Sequence, residues 1–350
     1  MPEGQDQQTE GVVGRGTSSA PSGRVTLEDV ARRAQVSRSL VSIVMRGVPG
    51  ASAATRERVW AAAKDLGYRP DVRARALAGQ KSRLIGVMFG VGVGTFHFDL
   101  LEGLYAAARE HGLSLVLSAL TRGRDEQQAA ESLHDFRFDA LIMLGPPSTN
   151  PILAGQVPLV VVGWHVEHPD VDVIRTSDGH GMDLAVGHLA GLGHQRIAHI
   201  DGGDGVIAAS RRDAYAAAMR SNELGSQIRM VRGGQSQLDG QRAARALLQD
   251  RDLPTALVAY NDDTAVAAMS LFAQQGVRVP EQVSVVGWDD QEAAAASPVP
   301  LTTVAQQPAD MARLAVQRVV DRIEHRRIGS REVVLQPRLQ VRSTSAPPAD

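Results

Sequence analysis

From residue 84 onward the chain alternates between short unbroken apolar runs and longer stretches of helical periodicity, and few folds accept that rhythm. The apolar runs fall at 85–89, 115–117, 140–144, 159–162, 197–200, 256–259 and 283–286, with helical stretches at 100–110, 179–192, 208–220, 241–249 and 264–275 among them. A strand that is apolar on both faces has no side to offer to water. It therefore belongs in a parallel sheet with helices packed above and below. The run of alternation is too long for one domain of ordinary size. The expected body is an α/β structure with two lobes, each built on a parallel sheet.

Ahead of it, residues 25–80 carry a different signal. Thr26 opens a helix with Asp29 three residues on, a capping-box arrangement with Asp in place of the usual Glu. Leu27, Val30, Ala31 and Ala34 recur at helical spacing, and a short turn at 34–37 leads to a second helix with the stripe Leu40, Val41, Val44 and Met45. Arg38 and Ser39 begin that helix and point away from its stripe. A third helix is expected over 55–66, with Val59, Ala62, Ala63 and Leu66 closing a three-helix core. This is an all-α helix-turn-helix arrangement, in which the first helix braces and the N-terminal end of the second enters the DNA major groove. Between residues 24 and 83 thirteen basic and five acidic residues give +8, against −2 for the whole chain, which leaves −10 elsewhere. A basic patch confined to one small module is the footprint of phosphate contact.

On these motifs the chain resembles the LacI/GalR (lactose/galactose repressor) family of transcriptional regulators. The residues that carry the resemblance are VTLEDVARRAQVS, the pair Val41-Ser42, then ATRERV, LGYRP, and ARALAGQKS followed by IGV. It extends over residues 24–345. The division it implies is a leader at 1–23 with little to bury, a helix-turn-helix domain at 24–70, a hinge at 71–83, an effector-binding and dimerisation domain at 84–345 and a tail at 346–350. The body would take the periplasmic-binding-protein-like fold. Its lobes would exchange strands, lobe one holding about 84–175 and 306–330 and lobe two about 176–305 and 331–345.

The resemblance also assigns roles. In the head, Thr26, Ser37, Arg38, Ser39, Ser42, Ile43 and Arg46 are the candidate DNA contacts. An arginine at position 38 can bond bidentately to a guanine edge. Ile43 stands where many relatives carry Arg; it cannot bond a base edge but can touch a thymine methyl, which shifts specificity toward Arg38. Arg46 replaces a frequent Asn and suits phosphate. Ser37 is open between phosphate contact and helix capping. In the hinge, Arg73, Arg75, Leu77 and Ala78 are the candidates. Leu77 matches the family's minor-groove wedge, whose insertion costs a few kcal/mol of unstacking and kinks the duplex. A plain linker is the alternative there, and Asp71 stands where relatives commonly have Asn.

In the body, Arg211, Asn261, Asp289 and Gln306 match effector-contacting positions. The first three lie at or just past the C-terminal ends of strands, where open α/β sheets bind ligands. An Arg, an Asn and an Asp together supply donors and acceptors for vicinal hydroxyls, so the expected effector is a sugar or polyol. Capping for Asp289, and pairing with Asp213 or Asp204 for Arg211, are the alternatives. Phe96, His97 and Phe98 stand where the family places stacking residues, and Trp164 and Trp288 flank two strand ends. The chain has only six Phe, four Tyr and three Trp, so their clustering carries some weight. Gly163-Trp164 replaces an Asp common in sugar-responsive relatives, which places the sugar class in question.

Other classes find little support. No cysteine is present, so disulfides, thiol catalysis and zinc ribbons are excluded. No apolar run approaches the roughly 20 residues of a bilayer span. Residues 90–95 are Gly-rich without the Gly-Lys-Ser/Thr ending of a phosphate loop, and no serine sits in a G-x-S-x-G elbow. His165, Glu167, His168, Asp170 and Asp172 could form a metal cluster but read better as an exposed loop, and His194 reads as a helix-end residue. The expectation is a cytoplasmic homodimeric repressor, not an enzyme and without cofactor, that binds a pseudo-palindromic operator under control of a small molecule. Two alternatives are a ligand-binding or sugar-modifying protein with a vestigial head, and a regulator without effector whose cleft is filled by side chains such as Trp164 and Trp288.

Overall fold

The computed structural model describes residues 25–45, 48–68, 82–90, 94–121, 123–134, 136–145, 153–250 and 252–349. The leader at 1–23, Arg46, and the hinge candidates Arg73, Arg75, Leu77 and Ala78 lie outside the described residues. The chain divides into two compact units, Met1–Ala78 and Gly79–Asp350.

In the first unit, α1 (Leu27–Ala34), α2 (Arg38–Met45) and α3 (Ala53–Asp65) pack around Val30, Ala31, Val41, Val44, Val59 and Ala63. The capping box is present: Thr26 Oγ1 accepts from Asp29 N and Asp29 Oδ2 accepts from Thr26 N at 2.9 Å. These bonds, with Thr26 foremost, hold the Asp29 carboxyl below its ordinary value. Gln35 takes the left-handed conformation (φ 54°) that turns the chain out of α1. The third helix starts two residues earlier than expected because Ser52 caps it, accepting from Thr55 N at 3.2 Å.

The second unit holds two six-stranded sheets. The first is made of β1 (Leu84–Gly90), β2 (Ser114–Leu120), β3 (Ala140–Leu144), β4 (Leu159–Val162), β5 (Val171–Thr176) and β11 (Glu332–Leu335), in the spatial order β11-β5-β4-β3-β1-β2. The second contains β6 (Ile197–Ile200), β7 (Arg229–Val231), β8 (Ala256–Ala259), β9 (Ser284–Asp289), β10 (Thr302–Ala305) and β12 (Arg338–Gln340), ordered β12-β10-β9-β8-β6-β7. All described pairings are parallel except β10 with β12, where the chain doubles back on an edge.

Strand β3 is buried at every position and pairs with β1 in the register Ile85↔Ala140, Val87↔Ile142. The helices α4 (Phe96–Glu110) and α11 (Pro308–Ile323) cover one face of the first sheet through Leu100, Leu104, Val316 and Val319. The second sheet is sandwiched. On one face lie α8 (Gln237–Gln249) and α9 (Asp262–Gln274); on the other lie α6 (Asp178–Gly191) and α7 (Val206–Ser221), with Tyr215 and Trp288 fully buried. Each fully buried aliphatic or aromatic side chain contributes about 1.5–3 kcal/mol, which is why both sheets are continuous apolar layers.

The chain crosses between the sheets three times, at Ser177, at Gln306–Gln307 and at Gln336–Pro337. The crossings are bonded together: Ser177 N donates to Leu335 O at 2.9 Å, and Gln307 Nε2 donates to Gln336 O at 2.8 Å. The last crossing corrects the expected lobe boundary. Residues 332–335 were expected in lobe two, but they pair with β5 in the first sheet, so the chain leaves lobe one only after Leu335. The hinge boundary shifts as well. Ser82 N and Arg83 N both donate to the Asp139 carboxylate, at 2.9 and 2.7 Å, which fixes these two residues to the body. Asp172, expected in an exposed loop, lies on β5 and is buried. The Arg322 guanidinium grips it at 2.6 and 2.8 Å and Arg318 adds a longer contact, so its charge is neutralised where water cannot reach it.

Candidate functional site

Two places bring the expected residues together, one in each unit. In the head, Ser37 Oγ accepts from Leu40 N at 3.2 Å, so Ser37 caps α2, and it also bonds Ser39 Oγ at 2.9 Å. Arg38 and Ser39 are exposed on the first turn of that helix, whereas Ser42 and Ile43 are half-buried. Several of the basic residues have structural duties. Arg33 pairs with Asp65 at 2.9 Å, Arg32 with Asp29 at 3.2 Å, and Arg56 donates to the carbonyls of Ala51 and Val48. The exposed first turn of α2 thus offers Arg38 to a base edge or a phosphate. The nominal charge of the module overstates how many guanidinium groups are uncommitted.

In the body, a cavity lies between the two sheets. Lobe one contributes Gly94, Phe96, His97, Leu100 and Gly145; lobe two contributes Ile207, Arg211, Gln235, Tyr260, Asn261 and Asp289; and Gln306 joins from the crossing. The cavity volume is about 50 Å³, room for only a few waters at 10–15 Å³ each. Phe96, His97, Arg211, Asn261, Asp289 and Gln306, all anticipated from sequence, line it. Trp164 and Trp288 do not: both are buried, Trp288 completely, and neither contributes to the lining. Phe98 is exposed instead of facing the cavity.

Arg211 is nearly fully buried on α7. Its Nε donates to Asp178 Oδ1 at 3.2 Å and its Nη1 to Tyr260 O at 2.5 Å. The guanidinium carbon stacks 4.6 Å from the Tyr260 ring and 4.2 Å from the Trp288 ring. Burial works against its charge, but Tyr260, Asp178 and Asp289 outweigh burial and raise its pKa, so the cation is retained. Its partner is Asp178, not the Asp204 or Asp213 that lie nearer in sequence. Asp204 pairs with Arg232.

Asp289 ends β9 and accepts from Gln306 Nε2 at 2.7 Å. Burial pushes its carboxyl up to about 8, with Arg211 pulling the other way. Asp262 behind it is pushed up to about 7 by burial, against the bonds it accepts from Thr303 Oγ1 and Gln291 N. Asp289 and Asp290 have φ of +118° and +62°, two successive non-glycine residues in left-handed backbone. Such strain costs of order 1–3 kcal/mol per residue and concentrates at ligand sites. Arg342 anchors Asp290 at 2.6 Å.

Asn261 caps α9: its Oδ1 accepts from Thr264 N at 2.9 Å and its Nδ2 donates to Gln235 O at 3.0 Å. An amide has two donors and two acceptor lone pairs, so capping leaves one of each for a ligand. Burial depresses the His97 pKa to about 4, and its buried Nδ1 has no partner. A neutral imidazole with an unused nitrogen is thus present in the cavity wall. Sequence reasoning missed Tyr260, Gln235 and Asp178. Tyr260 stands directly beside Asn261, at the same strand end, and could have been flagged on that ground. Nothing in the sequence marks Asp178 as the partner of Arg211.

The remaining candidates separate. His165 bonds Glu332 at 2.9 Å, and His194 is buried between Thr255, Ser284 and the Ala346 carbonyl, a core position. Among the described residues no group of His, Asp and Glu is arranged to hold a metal ion, and no helix is long and apolar enough to cross a membrane.

Comparison with known proteins agrees with both places. Residues 26–71 match the family of bacterial regulatory proteins, lacI family, and residues 186–345 match the periplasmic binding protein-like domain. The ribose operon repressor of Escherichia coli (strain K12) is 33% identical over 330 residues, covering 91% of this chain and 99% of that protein. The HTH-type transcriptional repressor PurR of Aliivibrio fischeri (strain ATCC 700601 / ES114) is 31% identical, covering 91% of this chain and 98% of its own length. The crystal structure of the Lac repressor dimer bound to operator and the anti-inducer ONPF superposes with a TM-score of 0.81 at 29% identity, over 93% of this chain and all of that one. Both of these full-length relatives are named as repressors. With a helix-turn-helix head and a two-sheet periplasmic-binding-protein-like body, the chain belongs to the LacI family of bacterial regulatory proteins and is a DNA-binding transcriptional repressor.

Proposed function

We propose that the protein represses transcription in the cytoplasm as a homodimer on a pseudo-palindromic operator, and that a sugar or polyol in the interlobe cleft sets its operator affinity. Arg38 is the proposed guanine reader, Ser39 and Ser42 are phosphate or base contacts, and Ile43 rests against a thymine methyl. Arg46, Arg73 and Arg75 are proposed phosphate contacts, with Leu77 and Ala78 at the minor groove. A dimer makes a symmetric reader of a symmetric site. Exposed Phe98 and Tyr105 on α4, with Leu117 on the edge strand β2, support a second copy as cover for this face.

The observation that carries the effector reading is the convergence of Arg211, Asn261, Asp289 and Gln306 on one cavity beneath His97 and Phe96. That set offers charged and neutral donors and acceptors against an aromatic wall, which suits vicinal hydroxyls on a small ring. The alternative of a cleft plugged by tryptophans draws no support, since neither Trp164 nor Trp288 lines it. The test is selection of bound sequences from random duplex DNA at about 150 mM salt, where counterion-driven binding is suppressed, with and without a pool of free sugars and polyols. An enriched palindrome whose recovery changes with the pool supports the proposal. Enrichment indifferent to every sugar leaves a repressor whose effector is of another class.

A further inference from the structure

The charges around the cleft are unbalanced, and the imbalance says what kind of polyol enters. Lys64 and Lys81 are the only lysines in the chain, so none is available to either sheet. Among the described lining residues Arg211 is the one cation, and Asp178 already neutralises it at 3.2 Å. His97 is uncharged. Against this stand Asp289 in the wall, Asp262 directly behind it, and Asp263, whose carboxylate oxygen would lie 2.3 Å from a Cβ placed on Gly94 of the opposite lobe. Burial favours the protonated, uncharged forms of Asp289 and Asp262, so the excess charge beside the cavity is the Asp263 carboxylate, and among the described lining residues no cation is left unpaired to meet an anion.

Three helices begin at this cavity: α4 at Phe96, α7 at Val206 and α9 at Asp262. A helix N-terminus carries roughly half a positive charge, and this would favour an anion. Two of the three cancel themselves, since α9 has Asp262 and Asp263 in its first turn and α4 has Asp99. What is left suits the lone pairs of a hydroxyl. A buried phosphate or carboxylate needs a matched cation to offset the loss of its hydration, and the described lining residues hold none to spare.

Resting on the effector reading above, we infer that the cleft selects an uncharged polyhydroxylated ligand and rejects its phosphate ester. The regulator then reports the free polyol and not its phosphorylated form. Asp289 and Gln306 would take and give hydrogen bonds to hydroxyls, while the three uncommitted N–H groups of Arg211 reach hydroxyl oxygens without meeting an opposite charge.

The experiment is isothermal titration of the full chain with matched pairs: ribose and ribose 5-phosphate, glucose and its 1- and 6-phosphates, mannitol and mannitol 1-phosphate. At least one neutral member should bind, and its phosphate should bind at least ten-fold more weakly. In Asp263→Asn, which removes one negative charge without loss of side-chain volume, that gap should shrink at least three-fold. A phosphate that binds as tightly as its neutral partner, or alone, overturns the inference but leaves a ligand-controlled repressor. A gap unchanged in Asp263→Asn overturns charge as its cause and points to size. Failure of every compound to bind overturns the polyol reading itself, and this inference with it.

Discussion

Gly181, on the first turn of α6, is where one missing methyl group supports the cleft. An ideal Cβ there would lie 2.3, 2.9 and 3.0 Å from Cη2, Cζ3 and Cζ2 of Trp288, where carbon atoms prefer about 3.5–4.0 Å. Trp288 is fully buried and carries the Arg211 guanidinium 4.2 Å from its ring. Its rigid bicycle cannot yield as a flexible side chain would. Overpacking a core costs about 1–3 kcal/mol, and the upper half of that range applies to three ring atoms at once. Exchanging helical Gly for Ala returns about 0.8–1 kcal/mol. Gly181→Ala should therefore destabilise by about 1–2 kcal/mol. Six residues along the same helix, Gly187 has nothing within 4 Å of its ideal Cβ. Gly187→Ala keeps the helical gain alone and should stabilise by up to about 1 kcal/mol. Urea melts of the two variants should differ by about 2–3 kcal/mol, and their thermal midpoints by about 4–12 °C. The reasoning fails if Gly181→Ala melts with or above Gly187→Ala, because Trp288 would then be free to move and could not be what positions Arg211.

Three further outcomes are expected. Arg38→Ala should lose about 1–3 kcal/mol of specific binding while nonspecific binding stays near wild type; equal loss in a competition assay would make Arg38 a phosphate contact only. Thr344→Val removes a buried hydroxyl that accepts from Thr302 N at 2.8 Å and donates to Val285 O at 2.6 Å. Leaving both groups unpaired should cost about 2–3 kcal/mol in urea unfolding, and a neutral result would mean the tail is not held there. Burial holds both His97 and His199 down to about 4 from an ordinary 6.5. Their contribution is complete above pH 6.5 and is lost as pH falls from 6.5 toward 4, by up to about 3 kcal/mol each. Asp262 and Asp289 are shifted up and act in the opposite sense, so a melt alone would blur the effect. Imidazole resonances read it directly: neither His97 nor His199 should titrate above pH 5, and a midpoint near 6.5 for either would contradict its burial.

The sequence made the helices and the central strands legible because their signals are local. Strand β3 is apolar at all five positions and fully buried, and it begins and ends where the pattern predicts. Strand β5 was not anticipated because Asp172 and Arg175 interrupt it. Both are tolerated by partners more than 140 residues away, Arg322 for the one and Glu332 for the other. The same distance effect moved the lobe boundary, since Glu332–Leu335 is short and only its pairing with β5 shows which sheet it joins. The edge strands β7 and β12, of three residues each, are below the length at which periodicity can be read.

At the cleft, the positions were legible and the partners were not. Parallel topology places strand ends at one edge, so residues at the end of β9 and just past β8 meet whatever their identity. What each side chain does once there depends on contacts that no spacing encodes. Asn261 illustrates the point. Capping and ligand contact look like rival explanations in the sequence, yet an amide that bonds Thr264 N and Gln235 O still holds a donor and an acceptor in reserve. Arg211 shows the converse. Its nearest acids in sequence are Asp204 and Asp213, but the fold gives it Asp178 from α6 and stacks it on Tyr260 and Trp288. A guanidinium so fixed loses little entropy when a ligand arrives, and it brings no unpaired charge to the encounter. Orientation and charge balance at this site therefore come from residues outside the recognisable ligand set, and substitutions at Asp178, Gly181 or Trp288 should alter effector binding without touching the effector.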